Sequence, residues 1–183
     1  LSLSGGSPSE FGEMAAMTKG VEGFQALELN LSCPNIESGA LFAHSAEQTF
    51  QVVEQVKSNS NLPILVKLAP NVPDIVPIAK AAASAGADAL TISNTNPAML
   101  VETSSRMPVL GAGTGGLSGP ALHPIALALV YHAFRAIDIP IIGVGGVFSG
   151  EDALRFIICG ASAVQIGSAN LADMWAPIHI LSE

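Results

Sequence analysis

The feature that most constrains the fold is a regular alternation of short apolar segments with segments of helical periodicity. Six segments have the composition of strands, at residues 1–4, 25–32, 63–68, 88–93, 140–144 and 161–166, and a helical pattern follows each one. Such alternation predicts a parallel α/β sheet with right-handed crossover connections. An open doubly wound sheet and a barrel both satisfy this pattern.

Each of the first five helices begins at a recognisable N-terminal signal. The side chains of Ser and Asp can accept hydrogen bonds from the first N–H groups of a helix, and a Glu, Gln or Asp three residues later strengthens the signal. The predicted helix starts are Ser7, Ser45, Asp74, Ser118 and Ser149. The segment between the fourth strand and Ser118 is longer than most connections, so we expect a functional loop there.

Composition bounds the function. The chain is 49% hydrophobic and 12% charged, which is sufficient for one sizeable core with strands buried on both faces. The net charge of −8 argues against nucleic acid as a partner, and no apolar run reaches the roughly 18 residues needed to span a bilayer. The two cysteines, Cys33 and Cys159, form no metal-binding motif and no disulfide framework, which favours a reducing cytoplasm.

Two glycine-bearing turns decide between the two architectures. Gly145 and Gly146 follow the fifth strand, and Gly167 and Ser168 follow the sixth. Backbone N–H groups at these places, close to helix N-termini, are suited to a phosphate, and (β/α)8 barrels bind phosphate after strands 7 and 8. The six strands are therefore predicted to be strands 3–8 of a TIM barrel. Since a whole barrel takes about 250 residues, we expect strands 1 and 2 to be missing.

A cluster of polar residues marks the end of the second strand. Cys33 stands between Asn30 and Asn35 where the strand stops, and the carboxyl ends of parallel strands are where such folds place their chemistry. Lys67 ends the third strand after a run of apolar residues. A small buried filler is the alternative for Cys33, and a surface lysine is the alternative for Lys67.

Six motifs, in order, resemble dihydroorotate dehydrogenases. They are LNLSCPN at 29–35, VKLAPNV at 66–72, SNT at 93–95, GGLSGPA at 115–121, IIGVGGV at 141–147 and GASAVQIGSA at 160–169. The cysteine at position 33 points to class 1, in particular the NAD-linked class 1B catalytic subunit. The resemblance implies a single TIM-barrel domain over residues 1–183 that binds FMN and oxidises dihydroorotate to orotate in pyrimidine biosynthesis.

The resemblance also implies a role for each site residue. Cys33 would remove the C5 proton while hydride passes from C6 to FMN N5. The residues that would orient the substrate are Asn30, Asn35, Asn94 and Thr95. The residues that would bind FMN are Lys67, Ser118, Gly119, Gly145, Gly146, Gly167 and Ser168. No metal is expected.

Partners and two alternatives follow from the same resemblance. The NAD-linked form uses a second subunit that carries FAD and an iron–sulfur cluster, whereas fumarate-using relatives are homodimers, so a homodimer or a heterotetramer is expected. One alternative is the FMN domain of dihydropyrimidine dehydrogenase, although Asn35 stands where we expect a histidine. The other is a truncated, non-catalytic fragment, because missing strands expose sheet edges.

Overall fold

The computed structural model describes residues 1–32 and 41–183. The strands are β1 (Ser2–Leu3), β2 (Leu27–Asn30), β3 (Ile64–Leu68), β4 (Ala89–Ile92), β5 (Asn96–Ala98), β6 (Val101–Glu102), β7 (Met107–Pro108), β8 (Gly115–Leu117), β9 (Ile141–Val144) and β10 (Ala163–Gln165). The α-helices are α1 (Pro8–Met17), α2 (Ala46–Asn59), α3 (Val76–Ser84), α4 (His123–Phe134), α5 (Gly150–Ile158), α6 (Ala169–Ala172) and α7 (Ala176–Ser182). Short 3₁₀ helices span Phe42–His44 and Pro120–Leu122.

The six predicted strands form one sheet in the order β1-β2-β3-β4-β9-β10, and every neighbouring pair is parallel. This confirms the α/β alternation. The register pairs Asn30 of β2 with Lys67 of β3, and Lys67 with Thr91 of β4. Polar residues near the ends of three adjacent strands therefore lie side by side.

The two faces of the sheet differ in what covers them. Leu29, Val66 and Leu90 point to the helix-covered face and are fully buried. The opposite face carries Glu28 and Lys67, which are half-buried. The expectation that strands are buried on both faces is met only in part for β2 and β3, whose concave face is half-buried within the described residues.

One hydrogen bond shows that the sheet is strongly curved. Gln165 of β10 donates from Nε2 to Oε2 of Glu28 in β2 at 2.8 Å. These strands are four steps apart in the sheet, which is about 19 Å in a flat sheet at the usual strand spacing. Two side chains can meet over that distance only if the sheet curls, so the strands form part of a barrel with Glu28 on its concave side.

The predicted capping interactions are confirmed at three helix starts. Ser7 accepts from the Glu10 N–H, Ser45 from the Gln48 N–H, and Ser149 from the Asp152 N–H.

At Asp74 and Ser118 the helix starts differ from the prediction. Asp74 accepts from the Val76 N–H, the first N–H of α3, as predicted, but the N-cap position is Ile75, one residue later. At Ser118 a 3₁₀ helix intervenes after Gly119, which has a φ of 92°, and α4 begins only at His123. In both segments the chain makes a turn before the helix begins, so the helix starts later than predicted.

The predicted loop between β4 and α4 contains additional structure. β5 pairs with β8 and β6 pairs with β7, both antiparallel, so the segment forms a two-part arm. Apolar side chains on this arm are exposed, including Leu100 and Met107. The strands escaped prediction because they are two or three residues long, too short for a periodicity.

The edges of the sheet, β1 and β10, have apolar surroundings. Leu3 and Met14 line a pocket beside β1, and Val164, Ile166 and Leu154 line another beside β10. Among the described residues no helix is both long and apolar enough to cross a membrane.

Asp88 connects three elements at the start of β4. Its Oδ2 accepts from the Ile64 N–H at 2.8 Å and lies 2.9 Å from Lys57 Nζ in α2. Partial burial acts to raise the pKa of Asp88, but the hydrogen bond from Ile64 and the Lys57 ammonium together hold it below the ordinary value. The ionised carboxylate is therefore the form that the folded state favours.

We expect Asp88→Asn to lower the free energy of unfolding by about 1 kcal/mol at neutral pH, a modest value because solvent screens this exposed pair. Because the folded-state pKa is the lower one, this contribution is complete above the unfolded-state pKa and is lost as the pH falls through the folded-state pKa. Urea unfolding at a series of pH values should show the difference shrinking below about pH 4. Asp138→Asn, at an exposed position, is the control, and a difference that persists in acid would contradict this account.

Candidate active site

A cleft of about 260 Å³ lies at the carboxyl ends of the strands. Nine of the twelve residues predicted from the sequence line it: Lys67, Asn94, Thr95, Ser118, Gly119, Gly145, Gly146, Gly167 and Ser168. They come from the ends of four strands and from the turn before α4. Of the other three, Asn30 contacts a lining residue, and Cys33 and Asn35 lie outside the described residues.

The amide side chains of Asn30 and Asn94 form a connected pair. Asn94 donates from Nδ2 to Oδ1 of Asn30 at 2.9 Å, and Oδ1 of Asn94 accepts from the Thr95 N–H at 2.8 Å. The same Oδ1 of Asn30 accepts from the Ser32 N–H at 3.3 Å. The end of β2 and the end of β4 are thus held together by amide groups, which orient rather than ionise.

A second pocket adjoins the first at Asn94 and Thr95, which line both. Ser32 and Asn71 are among its other lining residues. Ser32 directly precedes Cys33 in the sequence. A molecule in the first cleft and a second molecule in the adjoining pocket would therefore be neighbours.

The turn after β9 requires glycine. Gly145 and Gly146 have φ values of 137° and 65°, which side chains rarely adopt. A Cβ added at Gly146 would lie 2.6 Å from the carbonyl oxygen of Gly119 and 2.9 Å from Cβ of His123. The turn after β9 and the turn before α4 are therefore in close contact, and both line the cleft.

The first N–H groups of α5 already have partners in the protein. The helix begins at Gly150, directly after its predicted cap Ser149. Phe148 N–H donates to Asp152, Gly150 N–H to Glu183, and Asp152 N–H to Ser149. Any phosphate donors on this side of the cleft therefore belong to the turn after β9, because capping side chains occupy the first turn of α5.

The turns after β9 and β10 have backbone N–H groups that can donate to a ligand. Within the described residues, no hydrogen bond engages the backbone N–H groups of Gly146 and Ser168, and both residues line the cleft. Gly167 also lines it, and a Cβ there would meet no protein atom within 4 Å. Neither packing nor a positive φ requires glycine at Gly167, which is consistent with a ligand that approaches the backbone closely. The donor set therefore fits an anionic group such as a phosphate.

His123 was not singled out from the sequence, yet it supports the turn after β9. Its Nδ1 lies 3.0 Å from the carbonyl oxygen of Gly145, its Nε2 lies 3.7 Å from Oδ1 of Asp152, and its ring packs edge-on against Phe156. Partial burial acts to raise the pKa of Asp152, but hydrogen bonds from Phe148 and Ser149, with nearby positive charge, hold it below the ordinary value. No local signal marks His123, because its contacts are with residues at least 22 positions away.

Lys67 has a charged neighbour on the concave side. Its Nζ lies 3.9 Å from Oε1 of Glu28, and the two side chains are 22% and 18% exposed. Among residues 1–32 and 41–183, no group of three or more His, Cys, Asp and Glu side chains is arranged to hold a metal ion.

Comparison with known proteins identifies the family. The family model described as dihydroorotate dehydrogenase matches residues 1–183. The chain belongs to this family. It is 44% identical over 184 residues to "Dihydroorotate dehydrogenase B (NAD(+)), catalytic subunit" of Desulforudis audaxviator, covering 100% of this chain and 60% of that protein. To the protein of the same name from Maridesulfovibrio salexigens it is 49% identical, covering 95% of this chain and 58% of the relative.

A solved structure shows the same fold. The crystal structure of DHODH in complex with ferulenol from Eimeria tenella superimposes with a TM-score of 0.77 at 22% identity, covering 96% of this chain and 52% of that chain. The parallel sheet with helices on one face is thus part of the barrel of this family. The chain spans about 60% of the length of the curated relatives it matches.

We expect Gly146→Ala to destabilise the protein more than Gly113→Ala. Both glycines have positive φ values, of 65° and 80°, so both variants incur a backbone cost of about 1–2 kcal/mol. Only the Cβ at Gly146 meets backbone atoms, whereas a Cβ at Gly113 meets nothing within 4 Å, so overpacking should add about 1–3 kcal/mol at Gly146. Thermal or urea unfolding of the whole protein measures the difference, and equal losses in the two variants would refute the close contact between the turns.

Proposed function

We propose that the protein is an FMN-dependent dihydroorotate dehydrogenase that oxidises dihydroorotate to orotate in pyrimidine biosynthesis. The observation that carries this proposal is the pair of adjoining pockets that share Asn94 and Thr95. One has the phosphate-compatible turns and a lysine, and the other has amide side chains. A redox cofactor and a small planar substrate would be held next to each other there.

The first cleft suits FMN. Backbone N–H groups of Gly145, Gly146, Gly167 and Ser168 would bind its phosphate without an arginine. Ser118 and Gly119 would approach the rest of the cofactor. We further propose that residues 1–183 belong to a single FMN-binding barrel domain.

Lys67 would supply positive charge to the flavin. Negative charge develops on a flavin when it is reduced, and an ammonium group already in place stabilises that charge without reorganisation. The position of Lys67 at the end of β3, lining the first cleft, supports this role.

The second pocket suits dihydroorotate. Asn30, Asn35, Asn94 and Thr95 would orient the pyrimidine ring and its carboxylate by hydrogen bonds, and the hydrogen-bonded pair of Asn30 and Asn94 is consistent with a rigid orienting group. Cys33 would act as the general base that takes the C5 proton. Bound FMN would accept the hydride that leaves C6, which completes the two-electron oxidation.

The names of the relatives bear on partners. Those quoted above are catalytic subunits of an NAD(+)-linked enzyme. We propose that this protein likewise passes electrons to a second subunit that carries FAD and an iron–sulfur cluster, in a heterotetramer, with a homodimer as the simpler assembly.

Cofactor binding can be tested at Gly167. In the whole protein, Gly167→Val should weaken FMN binding at least tenfold, because a side chain would stand where the phosphate approaches the backbone. Binding of riboflavin, which lacks the phosphate, should change much less. Gly111→Val is a matched control, since Gly111 lies on the arm and a Cβ there also meets no atom within 4 Å. Fluorescence titration of the apoprotein measures both ligands, and equal weakening of FMN and riboflavin would contradict the phosphate assignment.

The reaction can be tested by visible absorption of the whole protein. Addition of dihydroorotate without oxygen should bleach the flavin spectrum. Cys33→Ala should slow bleaching by about 10²–10⁴-fold, the usual contribution of a general base. Cys159→Ala is the control, because Cys159 packs against the core away from the cleft. A colourless protein that takes up no FMN would overturn the proposed function.

A further inference from the structure

A partly buried polar cluster lies on the concave face, beside the lysine of the cleft. Oε2 of Glu28 accepts two hydrogen bonds, from Oγ1 of Thr91 and from Nε2 of Gln165, each at 2.8 Å. The donors belong to β4 and β10, so the carboxylate is held from two sides.

The two carboxylate oxygens of Glu28 have different surroundings. Oε2 is occupied by two neutral donors, whereas Oε1 faces Nζ of Lys67 at 3.9 Å. That distance is too long for a hydrogen bond but short for two opposite charges. The ammonium of Lys67 is therefore attracted to Glu28 without spending its N–H donors on it, and those donors remain available to the cleft.

Because Glu28 is partly buried, its charge contributes to the electric field in the cleft. The side chains of Glu28 and Lys67 are 18% and 22% exposed. Charges removed from water in this way are screened less than surface charges. The field that a ligand in the cleft experiences is thus the sum of the Lys67 ammonium and the Glu28 carboxylate behind it.

We propose that Glu28 is a positioning residue that acts through Lys67 and lowers the reduction potential of the bound flavin. This inference rests on the proposed function. The carboxylate, anchored by Thr91 and Gln165, holds the ammonium at the floor of the cleft and offsets part of its positive charge. The reduced flavin, which carries more negative charge, is consequently stabilised less than it would be by Lys67 alone.

A substitution at Glu28 can remove the negative charge while it keeps the size and shape of the side chain. Glu28→Gln is isosteric and neutral. In the whole protein loaded with FMN, it should move the midpoint potential to a more positive value, by about tenfold in the two-electron equilibrium or about 30 mV. Anaerobic titration with redox dyes measures this potential independently of turnover. Glu28→Asp, which keeps the charge, should lie closer to the wild type.

A second variant predicts the opposite sign. Thr91→Val removes one of the two hydrogen-bond donors whose dipoles offset part of the field of the carboxylate, so the negative charge of Glu28 should act more strongly and the potential should become more negative. A general loosening of the cleft would not shift the two variants in opposite directions. Thr91→Val also tests the inference if Glu28→Gln does not fold.

The outcomes separate the two proposals. If the wild type binds FMN and is bleached by dihydroorotate, but neither variant changes the potential, the role of Glu28 is refuted and the proposed function stands. In that case Glu28 is a structural brace between β2 and β10. If the wild type binds no FMN, both proposals fall together.

Discussion

The structure depends on the curvature of its sheet, and the hydrogen bond between Glu28 and Gln165 shows that curvature directly. The bond joins strands that are separated by three others in the sheet. Curvature of this degree turns the carboxyl ends of all the strands towards one another. Residues that are distant in sequence, such as Asn30 and Asn94, thereby come within hydrogen-bonding distance.

The cleft is lined by side chains at the strand ends and by backbone groups of the turns, which the curvature brings together. Strand ends supply directed side chains, Lys67 among them, and the register of β2, β3 and β4 sets their spacing. Turns supply bare backbone, and the approach of Gly146 to the Gly119 carbonyl shows how tightly the turns after β9 and before α4 are packed. Two further residues support groups that line the cleft: Glu28 lies beside Lys67, and His123 contacts the Gly145 carbonyl.

Most of the fold and much of the candidate site could be predicted, since both rest on local patterns. The strands of the sheet, three helix caps and the residues around Gly145 and Gly167 were each recognisable within a few positions. The cap at Ser118 was wrong because a 3₁₀ helix precedes α4, and the cap at Asp74 was one residue early. The arm between β4 and α4 was missed because its strands are too short for periodicity. Cys33 and Asn35 lie outside the described residues, so their roles remain proposals.

The sequence by itself determined the order of strands and helices, the family, and the places where strands end in polar residues. These depend on spacing and motifs within stretches of ten residues or so. Only the tertiary structure decided which inward-facing side chains meet. The contact of Glu28 with Gln165 spans 137 positions, and that of His123 with Gly145 spans 22. Such contacts are set by how far the sheet curls and how the strands are staggered, which no single segment of the chain encodes.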